Sequence, residues 1–340
     1  MAMENDETAP RCWVLTDGKA GMETQCLGLA EALGLAPEIK RISMGKPWRW
    51  LPPQAVIRPL TRLTAKGDGL APPWPDLLIA SGRKSVAPAI AIRKAAGGRC
   101  FTVQIQNPAV DLKNFDMVVT PLHDGLSGDN VVTTLGAMGR VTPALLAAAA
   151  DRFAPRYRHL PRPRVAVLVG GSNGAYRLTP EIATALARSL ADLARREGAG
   201  LMVTASRRTG GRNERILHDG LAAVAADLWD GSGENPYFGI LGLADHIVVT
   251  ADSVNMVSEA AASGKPVHVV ALEGGSRKFD RFHDAMAAKG ITRAFDGRLA
   301  TWAYPPLCET ARVAALVRAR LAARPSLAPG HLLLARGGDK

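Results

Sequence analysis

The sequence predicts an α/β protein made of two doubly wound parallel sheets, and three observations carry that expectation. Apolar runs of strand length alternate with helical patterns along the whole chain, as crossover connections between parallel strands require. Polar and glycine clusters fall just after these runs, at the sheet edge where open α/β folds hold their ligands. Residues 154–164, with three prolines and five Arg or His residues, read as a linker between two halves. At 340 residues the chain has room for two domains of ordinary size.

Residues 12–15 read as the first strand, followed by the loop 16–21 (Thr-Asp-Gly-Lys-Ala-Gly) and a helix with Leu27, Ala30 and Leu33 inward, ended by Gly34. The spacing of Gly18 and Lys19 does not match a P-loop. A second strand at 39–42 leads into a basic, Pro-bounded stretch holding Trp48, Arg49 and Trp50, with Lys46, Arg58, Arg62 and Lys66 near it. Two readings stay open there: tryptophans leaning on an anionic headgroup layer, or an irregular loop with its tryptophans packed inward. A third strand at 76–80 ends in Ser81-Gly82-Arg83-Lys84-Ser85, and a helix is read over 88–96. Strands at 101–105, 117–120 and 131–134 follow, the first two ending in Gln106-Asn107-Pro108 and Pro121-Leu122-His123-Asp124.

In the second half, residues 165–169 are an unbroken apolar run, the mark of a strand buried on both faces. The run breaks into Gly170-Gly171-Ser172-Asn173-Gly174, whose amides could approach a phosphate. A tight structural turn explains the glycines equally well. Thr179 suits an N-cap, Pro180 the first helical position, and Ile182, Leu186, Leu190 and Leu193 form one stripe stopped by Gly198. Strands at 201–204, 246–250 and 267–272, a short helix at 239–243 and a last helix at 309–323 complete the reading. In the last helix Val313, Leu316, Val317 and Leu321 share one side.

Net charge is +11, which favours an anionic partner, while aromatics at 5% and no interleaved Arg–aromatic run argue against nucleic acid. Cys12, Cys26, Cys100 and Cys308 are scattered without metal-ligand spacing and read as ordinary buried thiols in a reducing compartment. The first eight residues are acidic and polar, unlike a secretory signal, and no apolar run reaches about 18 residues. The expected location is the cytoplasm, with at most peripheral contact at the inner face of the cytoplasmic membrane.

Two segments taken together resemble a known family. The loop Gly170–Ala175 is followed about 80 residues on by Asp252-Ser253-x-x-Met256-x-Ser258-Glu259-Ala260 and then Gly264-Lys265-Pro266. This pairing is similar to GT-B glycosyltransferases, notably the type that adds N-acetylglucosamine to lipid-linked muramyl-peptide. The motif order over residues 12–323 resembles the alphaproteobacterial relatives of the plant mitochondrial-fission ("elongated mitochondria") family. It includes the loop 16–21, Ser81-Gly82-Arg83, Gln106-Asn107-Pro108, Ser206-Arg207-Arg208-Thr209 and Asp252-Ser253-x-Asn255-Met256.

The resemblance implies two Rossmann-like domains facing across a cleft: an acceptor-side domain over 1–155, a nucleotide-sugar domain over 156–305, and a segment over 306–340 whose helix crosses back. It implies transfer of a sugar from a nucleotide sugar to a lipid-linked or envelope glycan acceptor. Donor contacts would come from Gly170, Gly171, Ser172, Asn173, Gly174, Ser206, Arg207, Arg208, Asp252, Ser253, Asn255, Met256, Ser258 and Glu259. Glu259 suits the ribose hydroxyls and Arg207 the leaving diphosphate. In the first domain Gly18, Lys19, Gly21, Ser81, Gly82, Arg83, Gln106 and Asn107 are the candidates.

No D-x-D motif is present to hold a divalent metal, so neither metal nor cofactor is expected. An inverting transfer needs a base to take the acceptor's proton, and Asp17, then Asp124, then His123 are the candidates. Two other readings compete: a non-catalytic nucleotide- or sugar-binding adaptor for membrane or organelle organisation, and a dinucleotide-dependent oxidoreductase. The last is disfavoured because Gly170 does not open a G-x-G-x-x-G.

Overall fold

Side chains alternate across a strand, and the central strand β7 (Arg164–Val169) shows why its run is apolar throughout. Val165, Val167 and Val169 enter one hydrophobic layer, while Ala166 and Leu168 enter the other. A computed structural model provides the coordinates, which describe residues 10–324; the acidic first eight residues lie outside the described residues.

The described residues divide into two units. One holds residues up to 134 with 138–140 and the last helix; the other holds 135–137 and 141–308.

In the first unit β1 (Cys12–Thr16), β2 (Glu38–Arg41), β3 (Leu77–Ser81), β4 (Phe101–Ile105), β5 (Met117–Pro121) and β6 (Val131–Thr134) form a parallel sheet in the order β2-β1-β3-β4-β5-β6. Helices α1 (Ala20–Ala32) and α9 (Glu309–Ala322) cover one face, and α2 (Arg83–Ala95) covers the other. In α9 the buried residues are Val313, Ala314, Val317 and Leu321, at helical spacing. Leu316, expected on that face, is exposed.

The second unit contains α3 (Pro143–Tyr157), β7, β8 (Tyr176–Arg177), α4 (Pro180–Glu197), β9 (Gly200–Ala205), α5 (Gly211–Leu221), β10 (Ala226–Trp229) and α6 (Tyr237–Leu243). It continues with β11 (His246–Thr250), α7 (Val254–Ala262), β12 (Val267–Val270), β13 (Glu273–Gly274), α8 (Arg277–Ala288) and β14 (Thr292–Ala294). Its parallel sheet runs β10-β9-β7-β11-β12-β14, the strand order of a dinucleotide-binding Rossmann fold. Helices α4 and α5 pack on one face; α3, α6, α7 and α8 pack on the other. The fold is therefore α/β with two Rossmann-like parallel sheets.

Helix α4 begins and ends where its sequence signals say. Thr179 Oγ1 accepts from Ile182 N at 3.3 Å, Pro180 is the first helical residue, and Gly198 closes the helix at φ 62°.

Several expectations need correction. Residues 154–164 are not a linker, because 154–157 are the last turn of α3, which belongs to the second unit. The boundary expected at 155 therefore falls inside a helix. Strand β12 stops at Val270 rather than 272. Helix α2 starts at Arg83 rather than 88, with Pro88 tolerated in its interior. Cys12, Cys26 and Cys100 are buried, but Cys308 is exposed. No helix of the described residues is long and apolar enough to cross a membrane.

Candidate functional site

In an open α/β sheet the ligand crevice forms where strand order reverses, and in the second unit that point lies between β7 and β11. The loop after β7, the loop after β9 and the turn from β11 into α7 meet there around the carboxylate of Asp252. Its side chain is fully buried and takes three donors: Gly171 N at 3.0 Å, Thr250 Oγ1 at 2.7 Å and Arg208 Nη2 at 2.6 Å. Asn173 Nδ2 donates to Asp252 O at 3.0 Å, and Asn173 Oδ1 accepts from Ala175 N and Tyr176 N.

Close approach explains the glycine pair. A Cβ on Gly170 would stand 2.1 Å from Asp252 Oδ1, and one on Gly171 would stand 2.1 Å from Arg208 O.

This network corrects the phosphate-cradle reading of the loop. Gly170 N donates to Thr250 Oγ1, Gly171 N to Asp252, Ser172 N to Arg208 O and Asn173 N to Tyr176 O. Those four amides are bonded inside the protein. Ser206 Oγ and Thr209 Oγ1 both donate to Gly170 O, so Ser206 ties two loops together. Ser172 Oγ accepts from Leu178 N at 3.1 Å.

The loop buttresses Asp252 through these bonds. Ser172, Asn173 and Gly174 are exposed at its tip, as are Arg207 and Arg208, and the first turn of α7 is half-buried. Arg207 makes no ion pair among the described residues, and Arg208 is committed to Asp252.

Helix α7 is capped by Ser253, whose Oγ accepts from Met256 N at 3.3 Å. Asn255 and Met256 are half-buried in its first turn. Ser258 does not face that end: its buried hydroxyl donates to Val254 O at 2.7 Å and accepts from Ala137 N at 2.9 Å.

Glu259 lies half-buried one turn in, and the Tyr237 hydroxyl donates to its Oε2 at 2.7 Å. Desolvation pushes the Glu259 carboxyl up to about 7, against the hydrogen bond, which lowers it. Tyr237 opens α6, whose carboxyl end is held by Lys265: its Nζ donates to Leu241 O and Gly242 O at 2.7 and 2.6 Å. Burial pulls that ammonium down to about 8.

In the first unit, strand order reverses between β1 and β3, and the loops after β1, β3 and β4 line a cavity of about 480 Å³. Asp17, Lys19, Arg83, Gln106 and Asn107 line it, with Lys84 and Trp48–Trp50. The Asp17 side chain is 7% exposed; Lys84 Nζ and Lys19 Nζ stand 3.4 and 3.6 Å from its Oδ2.

Ser81, by contrast, is fully buried and belongs to the core. Gly82 sits at φ 88°, where a Cβ would stand 2.5 Å from Met22 Sδ. Gly18 sits at φ 79° and its N donates to Thr16 Oγ1, while Gly21 is in the first turn of α1.

His123 is buried and Asp124 half-buried in a turn after β5, and neither lines this cavity. Thr120 Oγ1 donates to Asp124 Oδ2 at 3.0 Å, and His123 Nε2 is 3.9 Å from Asp124 Oδ1. Trp48 is half-buried under Arg62, and Trp50 is 63% exposed beneath Lys46 and Arg49. Inward packing of both tryptophans is thereby corrected. Among the described residues no group of three or more His, Cys, Asp or Glu side chains is placed to hold a metal ion.

One residue escaped the sequence reading. Tyr237 carries no local signal of its partnership with Glu259, which lies 22 positions away.

The model of the family described as mitochondrial fission ELM1 matches residues 20–321. The chain belongs to that family. The mitochondrial fission protein ELM1 of Arabidopsis thaliana is 34% identical over 292 residues, which cover 78% of this chain and 67% of the plant protein. A Rickettsia prowazekii protein is 26% identical over 284 residues, covering 72% of this chain and 79% of that one.

Among solved structures, the Methanocaldococcus jannaschii UDP-GlcNAc 2-epimerase in complex with UDP-GlcNAc and UDP matches at TM-score 0.51 and 10% identity, covering 91% of this chain and 98% of that one. The glycosyltransferase SnogD of Streptomyces nogalater matches at TM-score 0.50 and 16% identity, covering 95% and 98%. These likenesses fix the fold of this ELM1-family member as GT-B-like.

Proposed function

We propose that the second unit binds a nucleotide sugar and that the protein moves the sugar to a lipid-linked or envelope glycan acceptor. What supports this is topology: Arg207 lies in the loop after β9 and Glu259 in the helix after β11, the strands on either side of β7 at the strand-order switch point. Glu259 would accept both ribose hydroxyls, the end of α7 would face the diphosphate, and Arg207 would clamp it bidentately. The fold shared with an epimerase crystallised with UDP-GlcNAc and UDP supports a uridine nucleotide as the first to try.

Transfer would proceed without a metal and with inversion. Asp17 would take the acceptor proton, because it is the candidate base that lines a cavity. The adaptor reading has one observation of its own: the amides of Gly170–Asn173 are already bonded inside the protein.

A thermal-shift series with nucleoside diphosphates and their sugars separates the two readings, since a ligand bound to the folded state raises its apparent stability. A shift with one nucleotide sugar, with release of its diphosphate in the presence of a glycan acceptor, supports the enzyme. No shift with any nucleotide supports the adaptor.

A further inference from the structure

We infer that the cavity of the first unit is a binding site for a phosphorylated ligand that carries hydroxyls next to its phosphoryl group. Four observations converge on it. The cavity, about 480 Å³, is lined by the cations Lys19, Arg49, Arg83 and Lys84 against one carboxylate, Asp17. Arg83 and Lys84 occupy the first turn of α2, where the helix dipole is positive and favours anions, and that turn has neither an acidic residue nor a side-chain cap. A bound anion would relieve this unfavourable placement and accept from the uncapped amides.

The Asp17 side chain is more than nine-tenths buried. Its Oδ2 faces the two lysines, while Oδ1 is buried without a hydrogen-bond partner among the described residues. An unmet carboxylate oxygen beside cations wants a donor, and a ligand hydroxyl supplies one. Finally, Gln106 is held at φ 73°, a conformation a non-glycine residue adopts at a cost, and lines the same cavity.

The charges thus select a phosphoryl group, and Asp17 selects a neighbouring hydroxyl. That chemistry belongs equally to a soluble polyol phosphate and to a glycerophospholipid headgroup. Its use as the acceptor surface rests on the glycosyl-transfer reading; its ability to bind the phosphoryl group does not.

The test titrates the full chain with glycerol phosphate, and separately with phosphatidylcholine vesicles doped with phosphatidylglycerol, reading tryptophan fluorescence and calorimetric heat. The parent is compared with Arg83→Gln, Lys84→Gln and Glu259→Ala. Both cation side chains are exposed, so those variants should fold as the parent does.

Each cation variant should bind about tenfold more weakly, as loss of a charged hydrogen bond implies, and Glu259→Ala should bind as the parent does. Saturation by glycerol phosphate without vesicle binding assigns a soluble ligand. Vesicle binding lost in the two cation variants assigns a headgroup. Binding of neither probe, or binding untouched by both substitutions, overturns the inference. Uridine diphosphate titrated into the parent and Glu259→Ala reports on the second unit through the difference between those two proteins, so failure of one reading leaves the other measurable.

Discussion

Tyr237 Oη donates to Glu259 Oε2 at 2.7 Å, and this bond joins the start of α6 to the second turn of α7. It gives Glu259 a partner that a nucleotide's ribose would have to share or displace. Burial around the pair outweighs this bond and holds the carboxyl's proton up to about 7.

A pH dependence follows. The folded chain binds a proton at Glu259 that the unfolded chain has released, in the window between the ordinary value of 4.5 and about 7. Stability contributed by this group is present below that window and is lost as pH rises through it. If Glu259 holds the ribose, the hydroxyls donate to its ionised form, so nucleotide affinity should run the other way. It should rise by at most about tenfold per pH unit up to about 7 and then level off. Calorimetry on the parent and Glu259→Gln checks this with the same ligand. An identical pH slope in both proteins removes the assignment.

The clash that fixes Gly170 gives a stability prediction. Gly170→Ala should cost about 1–3 kcal/mol, as overpacking does. Asp252→Ala should cost about 2–4 kcal/mol by leaving Gly171 N and Thr250 Oγ1 unpaired, with the Arg208 pair discounted because that guanidinium is half exposed. Because the added methyl meets Asp252 itself, the double variant should lose less than the sum. Denaturant unfolding measures all three, and strict additivity would contradict the geometry.

If Asp17 takes the acceptor proton, Asp17→Asn should slow sugar transfer by about 10²–10⁴-fold and leave nucleotide affinity unchanged. Loss of diphosphate release together with loss of nucleotide binding would place Asp17 in folding rather than in chemistry.

If Arg207 and the end of α7 meet the diphosphate, nucleotide binding should survive excess chelator. A fall in affinity that added Mg²⁺ or Mn²⁺ restores would contradict the metal-free reading.

The parts legible in sequence are those with strong local chemistry. Val165–Val169 and the Thr179-Pro180 start of α4 needed only burial and capping rules. Helix α3 went unread although Thr142 caps it and Pro143 opens it in the same way. Its run of alanines carries little amphipathic contrast, and the prolines beyond it suggested a linker. Strands β10 and β14 are short edges, the first half-buried throughout and the second exposed after Thr292, so no apolar run marks them.

At the site, the glycines were legible but their reason was not. Gly170 and Gly171 make room for Asp252 and Arg208, residues far along the chain that only folding brings near. Tyr237 was invisible for the same reason.

The most direct measurement is calorimetric titration of a uridine diphosphate sugar into the parent chain and into Glu259→Ala. The account predicts saturable binding by the parent and a loss on the order of 2–3 kcal/mol in the variant, the worth of a charge-assisted hydrogen-bond pair. Equal affinity in the two proteins, with the variant folded, would contradict it.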